Sequence, residues 1–312
     1  MIKFLKKIYN FINLFKIPKK IKDNFSELSE EYKGLIESEL RQNYFINDNE
    51  ICNNDMNDHI LGRTIVSRSK IIPWLCKEVG LKNKKLLEIG SGTGSSSITF
   101  AEQGANVVGI DVDDSSLEVA RIRASLLNLD IKYLKLSGTD ISTLQEKFDI
   151  IIYYASLEHM TIEERIASLR QAWNLLSSKG YLIIVEAPNR LWIEDTHTSE
   201  LPFFQWLPDN LAYLYSSNSN KESFSSKYLD SNYSQMQEFL RRGRGVSFHE
   251  FELALEDLNK LNVVSSLSRL VYSGGIINTF IYKKLYKSYL RKQIKIHPAF
   301  VEEYLDIIIK KI

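Results

Sequence analysis

The chain has 312 residues, of which 44% are hydrophobic and 11% aromatic, a composition that excludes an intrinsically disordered protein. Its 40 lysine and arginine residues balance 39 aspartates and glutamates, so the overall charge gives no argument for a nucleic-acid partner. Two cysteines exclude a disulfide framework and a cysteine metal cluster. Without a secretion signal or an apolar run of membrane-spanning length, a cytoplasmic protein is expected.

Residues 1–16 have the pattern of a basic amphipathic helix that ends before Pro18. Its apolar positions are Phe4, Leu5, Ile8, Phe11, Ile12 and Phe15. Two interpretations stay open, namely peripheral contact with the inner membrane surface and docking on this protein or its dimer mate. A second basic stretch, residues 283–295, is better explained as a solvated helix face, and the sequence favours no oligomeric state.

The order of predicted elements divides the chain into four regions. We expect a helical N-terminal extension over residues 1–58, a core over 59–187, a lid insertion over 188–245, and completion of the core with a C-terminal helix over 246–312. The predicted elements are helix 59–79, strand 84–89, helix 95–103, strand 106–111, helix 115–127, strand 131–136, strand 149–154, helix 161–176, strand 181–185, helix 248–259, strand 262–270 and a last strand near 276–283. This alternation predicts a mostly parallel seven-stranded sheet with helices on both faces.

The most informative motif is LLEIGSGTG, residues 86–94, in which a strand runs into glycines at positions 90, 92 and 94. Glycine permits a tight turn that leaves room for a ligand against the backbone. A helix opened by serines follows, and the next strand ends in Asp111, 21 residues after Gly90. A carboxylate at about this offset meets the ribose in nucleotide-binding βαβ units.

This arrangement resembles the class I S-adenosylmethionine (SAM)-dependent methyltransferases, which share a Rossmann-like α/β fold. The resemblance implies that Glu88 helps to hold the cofactor's ammonium and that Asp111 accepts bonds from the ribose hydroxyls. Val112 would pack on the adenine. The other residues that the resemblance assigns to the cofactor are Gly90, Ser91, Gly92, Gly94, Asp140 after the third strand, and Arg63 toward the SAM carboxylate.

Each of these assignments has a plainer alternative, since strand-end acids act as caps and Arg63 as a surface residue. An NAD(P)-linked Rossmann oxidoreductase is the competing class. Its fingerprint is GxGxxG, and Ser95 stands where that fingerprint needs glycine or alanine.

The candidate catalytic residues are Glu158 and His159, at the end of the fourth strand, and His197 in the lid. Histidine suits a base at neutral pH because of its ordinary pKa. Each histidine has an equally good structural explanation, as a helix cap or a loop-stabilising residue. We expect no metal site, since no helical ligand spacing supports one.

The lid sequence after Pro188 resembles methyltransferases of sugar and surface-glycan biosynthesis. The resemblance implies O- or N-methylation of a small molecule or glycan, with a lipid-linked sugar as one candidate acceptor. A non-catalytic SAM-fold partner subunit is a further alternative. The run RRGRG, residues 241–245, is either an anion-binding segment or a stretch that precedes a capping box at Ser247 and Glu250.

Overall fold

The computed structural model describes residues 27–45, 56–225, 228, 232–268 and 278–312. The chain forms two compact units, residues 1–137 and residues 138–312. The amphipathic pattern of residues 1–16 lies outside the described residues. Within the described part, no helix is long and apolar enough to cross a membrane.

Unit 1 is a three-stranded parallel sheet with helices packed against it. Its helices are α1 (Glu30–Glu39), α2 (Arg63–Val66), α3 (Ile72–Glu78), α4 (Ser97–Glu102) and α5 (Asp114–Leu126), and its strands are β1 (Lys85–Ile89), β2 (Asn106–Asp111) and β3 (Ile131–Lys135). The central strand is β2, which pairs in parallel with both neighbours. The helical turn Asp58–Gly62 leads into α2 and the helical turn Ser67–Ile71 joins α2 to α3, so the predicted helix 59–79 is present.

The described part of the N-terminal extension packs on unit 1 through apolar side chains. Ser29 caps α1 by accepting a hydrogen bond from the Tyr32 backbone. Tyr32, Ile36 and Leu40, spaced at one helical turn, are buried in a cluster that includes Val119 of α5. The extension is therefore part of the unit that carries the glycine loop.

Unit 2 contains four strands and the lid. Its strands are β4 (Phe148–Tyr154), β5 (Leu176–Pro188), β6 (Asn262–Ser266) and β7 (Tyr304–Lys310), and its helices are α6 (Ile162–Leu175), α7 (Asp209–Tyr215), α8 (Glu222–Ser225), α9 (Tyr233–Leu240), α10 (Phe248–Ala254) and α11 (Asn278–Gln293). Strands β4 and β5 are parallel, whereas β7 is antiparallel to both β5 and β6. With three strands described in unit 1 and four in unit 2, the predicted seven-stranded Rossmann-like α/β fold is confirmed.

The predicted last strand at 276–283 is wrong. Residues 278–293 form helix α11, and the final strand is β7, built on the buried run Ile307, Ile308 and Ile309. The apolar residues near 280 suggest a strand locally, but the helix is stabilised by a contact distant in sequence. Lys283 is buried, and its Nζ lies 2.7 Å from a carboxylate oxygen of Glu303. Strand β6 also ends earlier than predicted, at Ser266.

The lid leaves and rejoins unit 2 at one place. Asn189, just after β5, forms a β-bridge with Val246. The segment between these two residues therefore begins and ends side by side. It has its own aromatic core, in which Phe204, Tyr213 and Phe239 are buried against one another. The predicted capping box follows immediately, because the Ser247 and Glu250 side chains each pair with the other's backbone at the start of α10.

Candidate active site

The glycine loop follows β1 and is fixed by backbone hydrogen bonds to β2. The N–H groups of Gly90 and Ser91 both donate to the Ile110 carbonyl oxygen at 2.9 Å. Gly94 has a φ of +78°, and a Cβ there would lie 2.7 Å from the Tyr133 hydroxyl and 2.9 Å from the Ala120 Cβ. Only glycine fits this position, because both the backbone conformation and the available space exclude a side chain.

Asp111 ends β2 and is tied directly to the glycine loop. Its Oδ2 accepts a hydrogen bond from the Gly92 N–H at 2.8 Å, and its Oδ1 accepts one from the Asp113 N–H at 3.0 Å. Asp113 in turn caps α5. Loop and acid, which the sequence motif predicted to act together, are thus in contact. Val112 lies beside them with an exposed side chain.

Glu88 lies inside unit 1 and is completely buried. Its two carboxylate oxygens accept hydrogen bonds from the hydroxyls of Ser96 and Ser97, which open the following helix. Burial raises the pKa of Glu88 to about 7, although both serine hydrogen bonds oppose the shift. The role of these serines as partners of Glu88 was not predicted from the sequence.

Exchanging Glu88 for glutamine should remove a pH dependence from the free energy of unfolding. Because its pKa lies above the ordinary 4.5, the folded protein binds this proton more tightly than the unfolded chain does. The resulting stabilisation is complete below pH 4.5 and is lost as the pH rises to about 7. The stability of E88Q relative to the unmodified chain should therefore increase by up to about 3 kcal/mol over this range.

Urea denaturation of E88Q between about pH 5 and pH 8 measures this difference. The matched control is E118Q, because Glu118 is an exposed acid of α5 that pairs with Arg121. Parallel pH profiles for the two variants would mean that Glu88 titrates in the folded protein as it does in the unfolded chain.

Arg123 is a buried residue of α5 that holds the glycine loop and was not identified from the sequence. Its Nε donates to the Thr93 carbonyl oxygen at 3.0 Å. Its Nη1 donates to the Tyr32 hydroxyl at 2.6 Å, and its Nη2 donates to the His59 carbonyl oxygen at 2.9 Å. One guanidinium thus connects the loop with the N-terminal extension, a role for which its fixed fork of donors is suited.

The remaining predicted cofactor residues have different environments. The Ser91 hydroxyl is buried and has no hydrogen-bond partner among the described residues. Arg63 forms an ion pair at 3.0 Å with Asp58, and both side chains are about half exposed. Asp140 belongs to unit 2, where its carbonyl oxygen accepts a hydrogen bond from the Thr143 hydroxyl at 2.7 Å. The Asp140 carboxylate is exposed and takes no part in the hydrogen bonds of that turn.

The three predicted catalytic residues come together in unit 2. Glu158 and His159 lie on the helical turn Leu157–His159 that follows β4, and His197 comes from the lid. Glu158 Oε1 lies 3.5 Å from His197 Nε2 and 3.8 Å from His159 Nε2. Glu158 is completely buried, whereas the His159 side chain is 46% exposed and that of His197 is 25% exposed. The cluster therefore has a buried carboxylate and an imidazole side that solvent reaches.

Hydrogen bonds on the far side of each ring fix the two imidazole tautomers. His159 Nδ1 lies 2.8 Å from the Arg241 carbonyl oxygen, which can only accept, so Nδ1 carries the proton. His197 Nδ1 lies 3.2 Å from the Thr198 hydroxyl, which already donates to the Gly243 carbonyl oxygen. His197 Nδ1 is therefore also the donor. In their neutral forms both rings direct an unprotonated Nε2 at Glu158.

Arg165 of α6 holds the backbone around this cluster and was not identified from the sequence. Its guanidinium donates to the carbonyl oxygens of Leu157 at 2.7 Å and Glu158 at 3.2 Å. It also donates to the Arg244 carbonyl oxygen at 2.8 Å and forms an ion pair at 3.2 Å with Glu250. Arg165 is buried, and it connects the turn Leu157–His159 with the end of the lid.

The comparisons with known proteins place the core in a family. Residues 86–180 match the family model described as a methyltransferase domain. The ubiquinone biosynthesis O-methyltransferase of Pseudomonas aeruginosa is 30% identical over 120 residues, covering 38% of this chain and 50% of that protein. The protein of the same name from Histophilus somni is 36% identical over 108 residues, covering 33% and 44%. The chain spans about half the length of the curated relatives it matches.

Residues 86–180 form a class I SAM-dependent methyltransferase domain. The predicted family and its cofactor, S-adenosylmethionine, are confirmed. A solved structure of magnesium protoporphyrin IX methyltransferase from Synechocystis with bound S-adenosylhomocysteine covers 77% of this chain and 94% of its own, with 17% identity and a TM-score of 0.48. The matches give no support to the alternative of an NAD(P)-linked oxidoreductase.

The arginine-rich run beyond the methyltransferase domain is occupied by internal partners. Arg241 pairs with Glu164 at 2.7 Å, and Arg242 Nε donates to the Tyr228 hydroxyl at 3.0 Å. Arg244 is buried, donates to the Phe204 carbonyl oxygen at 2.8 Å and pairs with Asp209 at 3.1 Å. The run therefore fastens the lid, which favours the structural interpretation over an anion-binding segment.

Proposed function

We propose that this protein transfers a methyl group from SAM to a hydroxyl group of a small-molecule acceptor. The observation that carries the proposal is the contact of Asp111 with the glycine loop, which builds a nucleoside-binding βα turn in the methyltransferase domain. The Glu158 cluster supplies the second requirement, a proton acceptor at the carboxyl end of a parallel strand. The names of the curated relatives favour oxygen as the methylated atom.

In this proposal, unit 1 holds the cofactor. The Asp111 carboxylate has two oxygens with capacity beyond the Gly92 and Asp113 hydrogen bonds, and it accepts bonds from the ribose hydroxyls. The exposed Val112 packs on the adenine. Glu88 helps to hold the ammonium group of SAM from its buried position, where its carboxylate accepts hydrogen bonds from Ser96 and Ser97. Bound SAM supplies a methyl group on a sulfonium. The leaving group is a neutral thioether, so its departure needs no acid.

The Glu158 cluster prepares the acceptor hydroxyl. Each imidazole has its proton on Nδ1, so either Nε2 can accept the proton that the acceptor loses. The buried Glu158 carboxylate, 3.5 Å from His197 and 3.8 Å from His159, stabilises the imidazolium that forms. A protonated amine acceptor would also have to lose a proton before it attacks. The glycan or lipid-linked sugar acceptor stays a prediction from the lid sequence.

The lid offers a surface suited to a ring-shaped acceptor. Phe203 and Trp206 pack edge to face, with ring centroids 5.5 Å apart, and both remain more than two-fifths exposed. Exposed aromatic rings of this kind bind apolar, aromatic and sugar rings. This observation supports an acceptor that contains a ring.

Calorimetric titration of the full chain with SAM, S-adenosylhomocysteine and NADH tests the proposal. We expect micromolar binding of the two adenosyl ligands and none of NADH. A folded protein that binds neither adenosyl ligand would refute it. Binding of SAM combined with normal turnover after removal of both His159 and His197, on an acceptor found by screening, would contradict the assigned base.

A further inference from the structure

We propose that Glu158, His159 and His197 form a binding site for one first-row divalent transition-metal ion, represented by Zn²⁺. The three side chains each offer one ligand atom, and these atoms all lie within 4.8 Å of one another. The expectation that the protein has no metal site was based on the absence of helical ligand spacing. The ligands come instead from the turn after β4 and from the lid, which the sequence does not place together.

The first argument is the direction of the lone pairs. His159 donates its Nδ1 proton to the Arg241 carbonyl oxygen, and His197 donates its Nδ1 proton to the Thr198 hydroxyl. Metal-binding histidines are held in this way, with the other ring nitrogen bonded to a carbonyl or another acceptor. Both Nε2 lone pairs then face the negative oxygen of Glu158, an arrangement that is repulsive until a cation lies between them.

The second argument is the state of the carboxylate. Glu158 is completely buried, and neither of its oxygens has a hydrogen-bond partner among the described residues. A buried charge without hydrogen bonds is costly, so such groups pair with a cation or coordinate a metal. Glu88, the comparable buried acid of unit 1, shows the contrast, because hydroxyls satisfy both of its oxygens.

The geometry fits a metal ion of this class. Two ligand atoms on one tetrahedral zinc ion lie about 3.3 Å apart, given bond lengths of about 2.0–2.2 Å. The two carboxylate–imidazole distances, 3.5 Å and 3.8 Å, need only small side-chain movements to reach that value. Two imidazoles and one carboxylate suit zinc, iron or manganese better than magnesium, which prefers oxygen ligands. The partly exposed histidines leave further coordination positions open to water.

The lid loop that carries His197 is held firmly enough to present a ligand. The Asp195 carboxylate accepts hydrogen bonds from the N–H groups of His197 at 3.2 Å and Thr198 at 2.9 Å. Lys221 Nζ donates to the Thr198 carbonyl oxygen at 3.0 Å. Gly243 has a φ of +118°, and a Cβ there would lie 2.7 Å from the Thr198 hydroxyl, so only glycine allows this close packing.

Calorimetric titration of the untagged, full-length chain with Zn²⁺, in the absence of SAM, tests the site. We expect one equivalent to bind, with binding at least 10-fold weaker in both Glu158→Gln and His159→Ala. His159 is half exposed, so its variant keeps the test valid if E158Q does not fold. The control is His249→Ala, because His249 is an exposed histidine 3.3 Å from Glu252 that lies outside the cluster.

Loaded with Co²⁺, the site should also give a visible absorption band that is absent from H159A and retained in H249A. Mg²⁺ should not compete with Zn²⁺ at similar concentrations. Failure of the unmodified chain to bind Zn²⁺, or equal binding by H159A and H249A, would overturn the proposal. Bound Zn²⁺ would occupy the Nε2 lone pairs of His159 and His197, so the imidazole base of the proposed function applies to the metal-free cluster. SAM binding by unit 1 is measured separately and does not depend on this result.

Discussion

Replacing Asp111 with alanine is expected to weaken SAM binding by at least about 100-fold while the protein stays folded. The carboxylate is the ribose acceptor in the proposed site, and hydrogen bonds to a charged group contribute about 1.5–3 kcal/mol each. Two such bonds are lost together, which corresponds to about 3–6 kcal/mol of binding free energy. The variant also frees the Gly92 N–H, whose partner at 2.8 Å is this carboxylate. Asp111 is partly exposed at a strand end, so unfolding is not expected.

Calorimetry with SAM measures the effect, and thermal denaturation checks the fold. Asp114→Ala is the matched control, since Asp114 is an exposed acid in the first turn of α5 and pairs only loosely with Arg121, at 3.6 Å. Asp111→Asn separates two roles of the residue. Its oxygen can still accept from Gly92, so it should retain the loop but lose the charge. Unchanged affinity in D111A would mean that Asp111 serves the loop alone and that the ribose assignment is wrong.

The contact between the glycine loop and Asp111 could be predicted because it is contained in local sequence. A strand, a glycine loop, a helix and an acid lie within residues 86–111, and their spacing determines that Gly92 and Asp111 meet. The cluster of Glu158, His159 and His197 was predicted only as separate residues. Glu158 and His159 are neighbours in the chain, but the position of His197 depends on how the lid folds back. No local pattern contains that information.

The two buried arginines were missed although a signal for each exists. Arg123 lies on the same face of α5 as the buried Val119 and Ala120, four and three residues earlier. Arg165 lies on the same face of α6 as the buried Ser168 and Leu169, three and four residues later. An arginine on the apolar face of a helix needs internal hydrogen-bond acceptors. Here the acceptors include the carbonyl oxygens of Thr93 in the glycine loop and of Leu157 in the turn after β4.

The C-terminal elements show a second case in which the local sequence pattern does not determine the secondary structure. Residues near 280 are rich in β-branched and aromatic side chains, which favour a strand. The observed helix α11 buries Lys283 against Glu303 and brings Lys287 to Glu302. Those acids directly precede β7, so long-range ion pairs and the strand that follows decide the structure. The sequence of β7 itself, with three consecutive isoleucines, is that of a strand buried on both faces.

Arg165→Met is expected to destabilise the protein by about 3–5 kcal/mol. The guanidinium is buried, and methionine preserves much of its length without its donors. Removing it leaves the Glu250 carboxylate buried without its ion-pair partner, and the Leu157 and Arg244 carbonyl oxygens lose their donors at 2.7 Å and 2.8 Å. An uncompensated buried charge carries most of this cost. The lowered unfolding free energy is measurable by urea denaturation.

Arg170→Met is the matched control, because Arg170 is an exposed arginine of the same helix that makes one hydrogen bond, to the Leu253 carbonyl oxygen at 3.0 Å. It should cost less than about 1 kcal/mol. If the buried charge is the cause, the double variant Arg165→Met, Glu250→Gln should recover part of the loss, since glutamine carries no charge. A double variant as unstable as R165M would instead assign the cost to the unpaired carbonyl groups. In that case the guanidinium would stabilise the protein chiefly through its hydrogen bonds to the backbone of the turn that carries Glu158.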